Sequence, residues 1–141
     1  MRYVDTSVMV SLLTEETTSE RVISWLREQP AMSLAASPWL IVELSSSLAR
    51  KVRMQRVTVA ERDRMLAYFS RSVQPALRML AMNEAVFRDA ARIADMHEAG
   101  IRAGDALHLA IAAANDLALV TTDKPFAAGA AGIGYDVELL A

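Results

Sequence analysis

Apolar residues along the chain alternate between short extended runs and longer stripes at helical spacing. Arg2-Tyr3-Val4 reads as a short strand. Val8, Met9, Val10, Leu12 and Leu13 read as a helix that begins directly after it. Between the two stand one carboxylate and two hydroxyls, Asp5-Thr6-Ser7, at the carboxyl end of the strand, where open α/β sheets bind ligands. Thr17-Thr18-Ser19-Glu20 has the form of a capping box and opens a helix with the stripe Val22, Ile23, Trp25 and Leu26. Gln29-Pro30 ends it, and Met32 to Ala36 reads as a second strand. Ser37-Pro38 places a hydroxyl at an N-cap and proline at the first helical position. The helix it opens runs to about Arg53, with Leu40, Ile41, Leu44, Leu48 and Val52 as its buried stripe. Glu43 lies off that stripe, on the side shared with Trp39, Ser47 and Arg50.

Thr58-x-x-Glu61 is a second capping box, with Met65, Leu66, Phe69 and Val73 inward and Gln74-Pro75 closing the helix. Leu77 to Leu80 is a weak third strand, since Arg78 interrupts it. Asn83 can cap a helix with the stripe Val86, Phe87, Ala90, Ile93 and Ala94, and Gly100 supplies a left-handed position beyond it. Gly104-Asp105 begins a helix that is apolar on nearly every side and therefore covered on several sides; Asn115-Asp116 ends it. Leu117 to Thr121 is a clear strand, followed at once by Thr122-Asp123. A short helical turn near Pro125 to Ala128, an Ala/Gly-rich loop over Ala127 to Gly134 and a strand around Tyr135 to Leu139 complete the pattern. Strands alternating with helices predict a parallel sheet with helices on both faces, in one domain spanning residues 1–141.

Composition narrows the chemistry. With no cysteine, disulfides, thiolate metal sites and cysteine nucleophiles are excluded. Eight methionines and few aromatics suggest an aliphatic helical core with apolar surface left for an interface. Arg2 and Asp5 stand where an export leader would be apolar. The longest apolar run, Ala106 to Ala114, contains His108 and is too short to span a bilayer, so a cytoplasmic protein is expected. A net charge of −2 gives no general attraction for nucleic acid. Contact with phosphates would have to be local, and the run from Arg50 to Arg56, carrying Arg50, Lys51, Arg53 and Arg56, is the candidate. The same run also reads as a solvated helix face.

Four acids stand out by position: Asp5 after the first strand, Glu43 on a well-capped helix, Asp105 in the first turn of a buried helix, and Asp123 after the penultimate strand. In a parallel sheet, strand ends and helix starts converge on one edge. Carboxylates crowded there repel one another unless some are protonated or a divalent cation joins them. Hard oxygen donors suit Mg²⁺ or Mn²⁺ rather than Zn²⁺. Thr6, Ser7, Thr121 and Thr122 could orient waters around such an ion. Taken singly, Asp5 is equally an N-cap, Asp105 a residue favoured by the helix dipole, Asp123 a turn residue, and Glu43 the partner of an internal arginine such as Arg50. A phosphoacceptor receiver would need an aspartate ending a middle strand, and Met32 to Ser37 has none. A haloacid-dehalogenase-type phosphatase would need Asp-x-Asp, and Ser7 holds the second position.

The segments Val4-Asp5-Thr6-Ser7-Val8, Glu43-Leu44 on a helix ending Leu48-Ala49-Arg50, Arg102-Ala103-Gly104-Asp105-Ala106-Leu107-His108-Leu109-Ala110 and Leu119-Val120-Thr121-Thr122-Asp123 together resemble the PIN-domain ribonucleases, above all the VapC toxins of toxin–antitoxin pairs. The resemblance covers essentially the whole chain. Asp-Ala-Leu-His-Leu-Ala with the strand end Val-Thr-x-Asp is its specific part; Asp-Thr-Ser-Val is not. It implies a three-layer α/β/α sandwich with a five-stranded parallel sheet and an acidic pocket at one edge. It implies Mg²⁺- or Mn²⁺-dependent endonucleolytic cleavage of single-stranded or looped RNA. Asp5, Glu43, Asp105 and Asp123 would be the metal-binding, catalytic acids, with Thr6 and Thr122 in support. It further implies a homodimer and a small cognate antitoxin that lays a helix or tail along a groove and occupies the acidic pocket. His108 also matches a family position, but on so apolar a helix it reads as a satisfied core histidine. Asp116 reads as a helix terminator. The competing reading is a non-catalytic PIN-like module kept for protein contacts, against which the presence of all four acids argues.

Overall fold

A strand inside a parallel sheet is covered on both faces, so it is written as a continuous apolar run. Tyr3-Val4, Leu34-Ala35-Ala36 and Leu119-Val120 are such runs, and all are buried. In the computed structural model, which describes all residues from Met1 to Ala141, they belong to a five-stranded sheet. Its strands are β1 (Arg2–Val4), β2 (Leu34–Ala36), β3 (Arg78–Met79), β4 (Ala118–Thr121) and β5 (Val137–Leu139). All neighbours pair in parallel, in the order β3-β2-β1-β4-β5. Chain connections therefore run outward from β1 to β3 on one side and resume on its other side at β4. The crevice between β1 and β4 is the topological switch point, where α/β sheets hold ligands.

Seven helices cover the sheet: α1 (Thr6–Leu13), α2 (Ser19–Arg27), α3 (Pro38–Arg53), α4 (Val59–Tyr68), α5 (Glu84–Asp95), α6 (Ala103–Ala114) and α7 (Lys124–Gly132). Side chains of a strand alternate between its faces. Tyr3, Ala35 and Leu119 accordingly join one core with Val86, Ile93, Leu109 and Phe126, from α5, α6 and α7. Val4, Leu34, Ala36 and Val120 join the other with Met9, Trp25, Leu40, Leu44 and Leu48, from α1, α2 and α3. Seven consecutive residues of α6, Ala106 to Ala112, are buried, as expected of a helix apolar on all sides.

Several start and stop signals act as read. Thr58 and Glu61 make both bonds of the capping box at α4, Asn83 caps α5 through the Val86 amide, and Gly100 is left-handed at φ 64°. Asp116, which also adopts a left-handed φ of 54°, ends α6. Others differ. α2 starts at Ser19 with Thr18 at its N-cap and no side-chain cap. With the N-cap at Thr18 the Thr17 box does not form, and the Ser19 hydroxyl binds the Thr14 carbonyl and the Glu16 amide, closing the preceding loop. β2 begins only at Leu34, because Met32 has a left-handed φ of 58° that breaks extension. Phe87 and Ala94 are exposed on α5, leaving Val86, Ala90 and Ile93 as its inward face. The stretch from Ala127 to Gly134 is helix as far as Gly132 rather than loop: Asp123 caps α7, Pro125 sits in its first turn, and Phe126, Ala127 and Ala130 are buried. The chain after α4 continues through a wide turn at Phe69–Val73 and a tight one at Gln74–Ala76, so Pro75 lies inside helical structure.

Candidate active site

Asp5 leaves β1 at its carboxyl end and caps α1. Its Oδ1 accepts from the Ser7 amide at 3.0 Å and the Val8 amide at 3.4 Å, satisfying two of the donors that a helix start leaves free. Its Oδ2 accepts the Thr121 hydroxyl, from the end of β4, at 2.6 Å. Asp123 repeats the arrangement two residues beyond β4. It caps α7 through the Phe126 amide at 2.9 Å, with its own amide tied to the Thr121 oxygen at 3.0 Å. The Ser7 hydroxyl bridges the two strand ends, receiving the Thr122 amide at 2.8 Å and donating to Asp5. Capping and lining the pocket are thus one arrangement, since the cap is what aims each carboxylate.

Both acids open on a polar cavity of about 440 Å³ above the β1–β4 crevice. Glu43 from α3 and Asp105 from the first turn of α6 complete its acidic lining, with Glu16, Thr6, Ser7 and Thr122 beside them and no lysine or arginine in the wall. All four acids singled out in the sequence therefore line one cavity. Glu43 finds its partners in His108 and Thr6, not in Arg50: the Thr6 hydroxyl donates to Glu43 Oε1 at 2.7 Å, and His108 Nε2 contacts the same oxygen. Gly104 lets α6 approach, since a Cβ there would stand 2.7 Å from Glu43 Oε2.

Electrostatics separate the acids. Asp105 sits at a helix N-terminus, which favours its charge by a few tenths to about 1 kcal/mol. Burial, together with the charges of Asp5 and Asp123, outweighs this and pushes its carboxyl up to about 6. Burial also raises Asp5, against the hydrogen bonds from Ser7 and Thr121 that favour its charge. For Glu43 the balance is reversed: burial would raise it, but His108 and Thr6 together hold it below the ordinary value.

A divalent cation fits this donor set. The donors are hard oxygens, no lysine or arginine competes for them, and burial and the neighbouring acids outweigh His108 at the half-buried Asp105. No three of the acids and His108 are gathered tightly enough to enclose an ion by themselves. An ion held there would therefore complete its coordination with water.

The basic run divides. Arg50, Lys51 and Arg56 line a smaller cavity that shares Val10 and Ser47 with the acidic one. Arg53 is exposed and lines neither, lying on another side of α3. Lys51 is paired with Glu16. His108 is buried at 1% exposure and fully satisfied, as read, but its partner Glu43 belongs to the site. The other partner of the ring, the Tyr3 hydroxyl, holds Nδ1 at 2.8 Å and the Ser37 hydroxyl at 2.8 Å. Ser37 spends its hydroxyl there and makes no side-chain cap for α3. The sequence offered one signal for this link: His108 follows Asp105 by three positions and so shares its side of α6.

The model of the PIN domain family matches residues 2–131. No curated protein matches the chain by sequence. Among solved structures, FitAcB from Neisseria gonorrhoeae is similar at 21% identity and a TM-score of 0.71, over 97% of this chain and 96% of that one. The sarcin-ricin-loop-cleaving toxin VapC20 of Mycobacterium tuberculosis is similar at 16% identity and a TM-score of 0.73, over 96% of each chain. VapBC2 from Rickettsia felis, bound to a DNA fragment from its promoter, is similar at 17% identity and a TM-score of 0.69, over the whole of both chains. At these identities the likeness is one of fold.

Proposed function

The chain belongs to the PIN-domain family, and from that premise we propose that it is a divalent-metal-dependent endoribonuclease, the toxin of a toxin–antitoxin pair. The observation that carries this reading is the meeting of Asp5, Glu43, Asp105 and Asp123 around one cavity at the switch point of the sheet. These four would hold Mg²⁺ or Mn²⁺. When bound, such an ion supplies a water made acidic enough to attack at neutral pH, and positive charge opposite the phosphate being cleaved. The chain's own residues set the stage. The caps on α1 and α7 fix Asp5 and Asp123. Thr6 and His108 keep Glu43 ionised and turned. Thr121, Ser7 and Thr122 tie the strand ends together in support.

Charge supports a path for RNA. The acidic cavity repels phosphates until a cation enters, while Arg50 and Arg56 offer positive charge in the adjoining cavity. A second groove, about 600 Å³, has Leu12, Leu13, Ile23, Val57 and Met65 among its lining, with Glu15, Glu61, Lys51 and Arg56 at its rim. It suits the amphipathic helix of a small antitoxin. No helix is long and apolar enough to cross a membrane, which agrees with a cytoplasmic place of action.

The test is cleavage of a broad panel of single-stranded and structured RNAs by the purified chain. Cleavage is expected with Mg²⁺ or Mn²⁺, none with chelator, and none by a folded Asp5→Asn variant. A panel left uncut with both metals overturns the enzyme and favours a non-catalytic interaction module. Expression of the chain alone should arrest growth and Asp105→Asn should relieve the arrest; a harmless wild type removes the toxin role even if RNA is cut.

A further inference from the structure

A buried polar chain runs beneath the site from Ser37 through Tyr3 and His108 to Glu43, and nothing in the reaction above requires its inner half. Tyr3 and Ser37 have no exposed surface and His108 has 1%, in a core that is otherwise aliphatic on that side of the sheet. Burying three polar groups costs free energy unless each is paired, and an apolar triplet would fill the same space without that risk.

The outer end of the chain is the same whichever way its inner bonds run. Glu43 Oε1 already accepts the Thr6 hydroxyl at 2.7 Å, and a carboxylate oxygen only accepts. His108 Nε2 must therefore carry the proton in the contact with Glu43 Oε1. In a neutral ring Nδ1 is then an acceptor. The Tyr3 hydroxyl then donates to Nδ1, while the Ser37 hydroxyl donates to the phenol oxygen. In a charged ring the two inner bonds reverse, and Nε2 still donates to Glu43. Either way one oxygen of Glu43 is closed by two donors, His108 and Thr6, while Oε2 accepts no hydrogen bond and lies against Gly104, where a Cβ would come within 2.7 Å of it. A core histidine satisfied for stability alone could pair with any buried acceptor. This one reaches across to another helix and holds a side chain that is about a quarter exposed and lines the cavity.

We propose that Tyr3 and His108 are positioning residues, which orient Glu43 so that a single oxygen is presented to the divalent cation. The inference rests on the reading of the cavity as a cation site. Its test is Mn²⁺ binding by titration calorimetry of the purified chain, alongside thermal melting in chelator. His108→Leu, folded, should bind Mn²⁺ about 10- to 100-fold more weakly, the usual effect of removing a partner that orients a ligand. His108→Gln places an amide nitrogen near the Nε2 position and should recover most of the affinity. Tyr3→Phe, which deletes one oxygen from the far end, should weaken binding by a smaller factor. With cleavage as a second readout, the half-saturating Mn²⁺ concentration should rise in step while KM for RNA stays unchanged. Folded His108→Leu binding within twofold of wild type overturns the inference and leaves the cation site standing; should that variant not fold, Tyr3→Phe with unchanged affinity has the same force. A wild type that binds no Mn²⁺ removes the cation site and the inference with it.

Discussion

Asp105 is the carboxylate with the least help. Asp5 and Asp123 are tied down by helix amides, and Glu43 has Thr6 and His108, whereas at Asp105 burial and the charges of Asp5 and Asp123 outweigh the favourable influence of His108. Its folded pKa, about 6, lies above the ordinary 3.8. Between those values the folded chain binds more protons than the unfolded one, so the metal-free protein loses stability as pH rises from about 4 to about 6 and is level above. With allowance for its partial exposure the penalty is on the order of 1–2 kcal/mol. Asp105→Asn should therefore melt higher than wild type in chelator at pH 7.5, lack that part of the pH slope, and gain much less on adding Mn²⁺. A lower melting temperature in chelator would show that Asp105 is not strained by its neighbours. At this scale the four acids were legible because each follows a recognisable strand end or helix start. The Tyr3–His108–Glu43 link was not, because its contacts join residues 105 and 65 positions apart, and tyrosine on a short strand reads simply as core.

Elements were read well where the start signal and the apolar stripe agreed, as at α3, where Pro38 and Leu40, Leu44 and Leu48 point to one helix. They were misread where composition spoke louder than spacing. Ala127 to Gly134 looks like a loop because alanine and glycine dominate it. Yet Asp123 and Pro125 form a helix start, and Phe126 and Ala130 stand one turn apart and are buried. One glycine there, Gly129, has a packing reason too. A Cβ on Gly129 would lie 2.4 Å from the Ala99 carbonyl oxygen, a backbone atom that cannot turn aside. Gly129→Ala should therefore destabilise the chain by about 1–3 kcal/mol through overpacking, even though alanine is the better helix former. Chemical denaturation measures this directly, and a neutral or stabilising result would mean that α7 and the turn at His97–Ala99 can part at little cost. The Thr17 box failed because the helix starts one residue later than its spacing requires, with Thr18 rather than Thr17 at the N-cap.

For the molecule as a whole, the alternation of strands and helices was enough to give a parallel sheet covered on both faces. The order of its strands could not be read from one chain, because nothing local tells β4 to return beside β1. That return creates the crevice and sets the acids of the cavity beside the basic end of α3. Net charge is −2, so attraction for RNA must come from that neighbouring wall. Lys51 is already neutralised by Glu16, which leaves Arg50 as the freer charge. Arg50→Ala should weaken RNA binding in the presence of Mg²⁺ and flatten the plot of log affinity against log salt by roughly 0.7, the value for one phosphate contact on a single strand. An unchanged slope would place the RNA elsewhere. The same strand order also sets a timetable. β1 finds its second partner at Leu119 and Val120, more than a hundred residues later, and Asp5 Oδ2 takes its hydrogen bond from Thr121. Made from the N-terminus, a growing chain carries Asp5 and Glu43 long before it carries the strand that draws them around Asp123. A nascent chain thus has no completed pocket until β4 and Asp123 have been added and have paired back against β1.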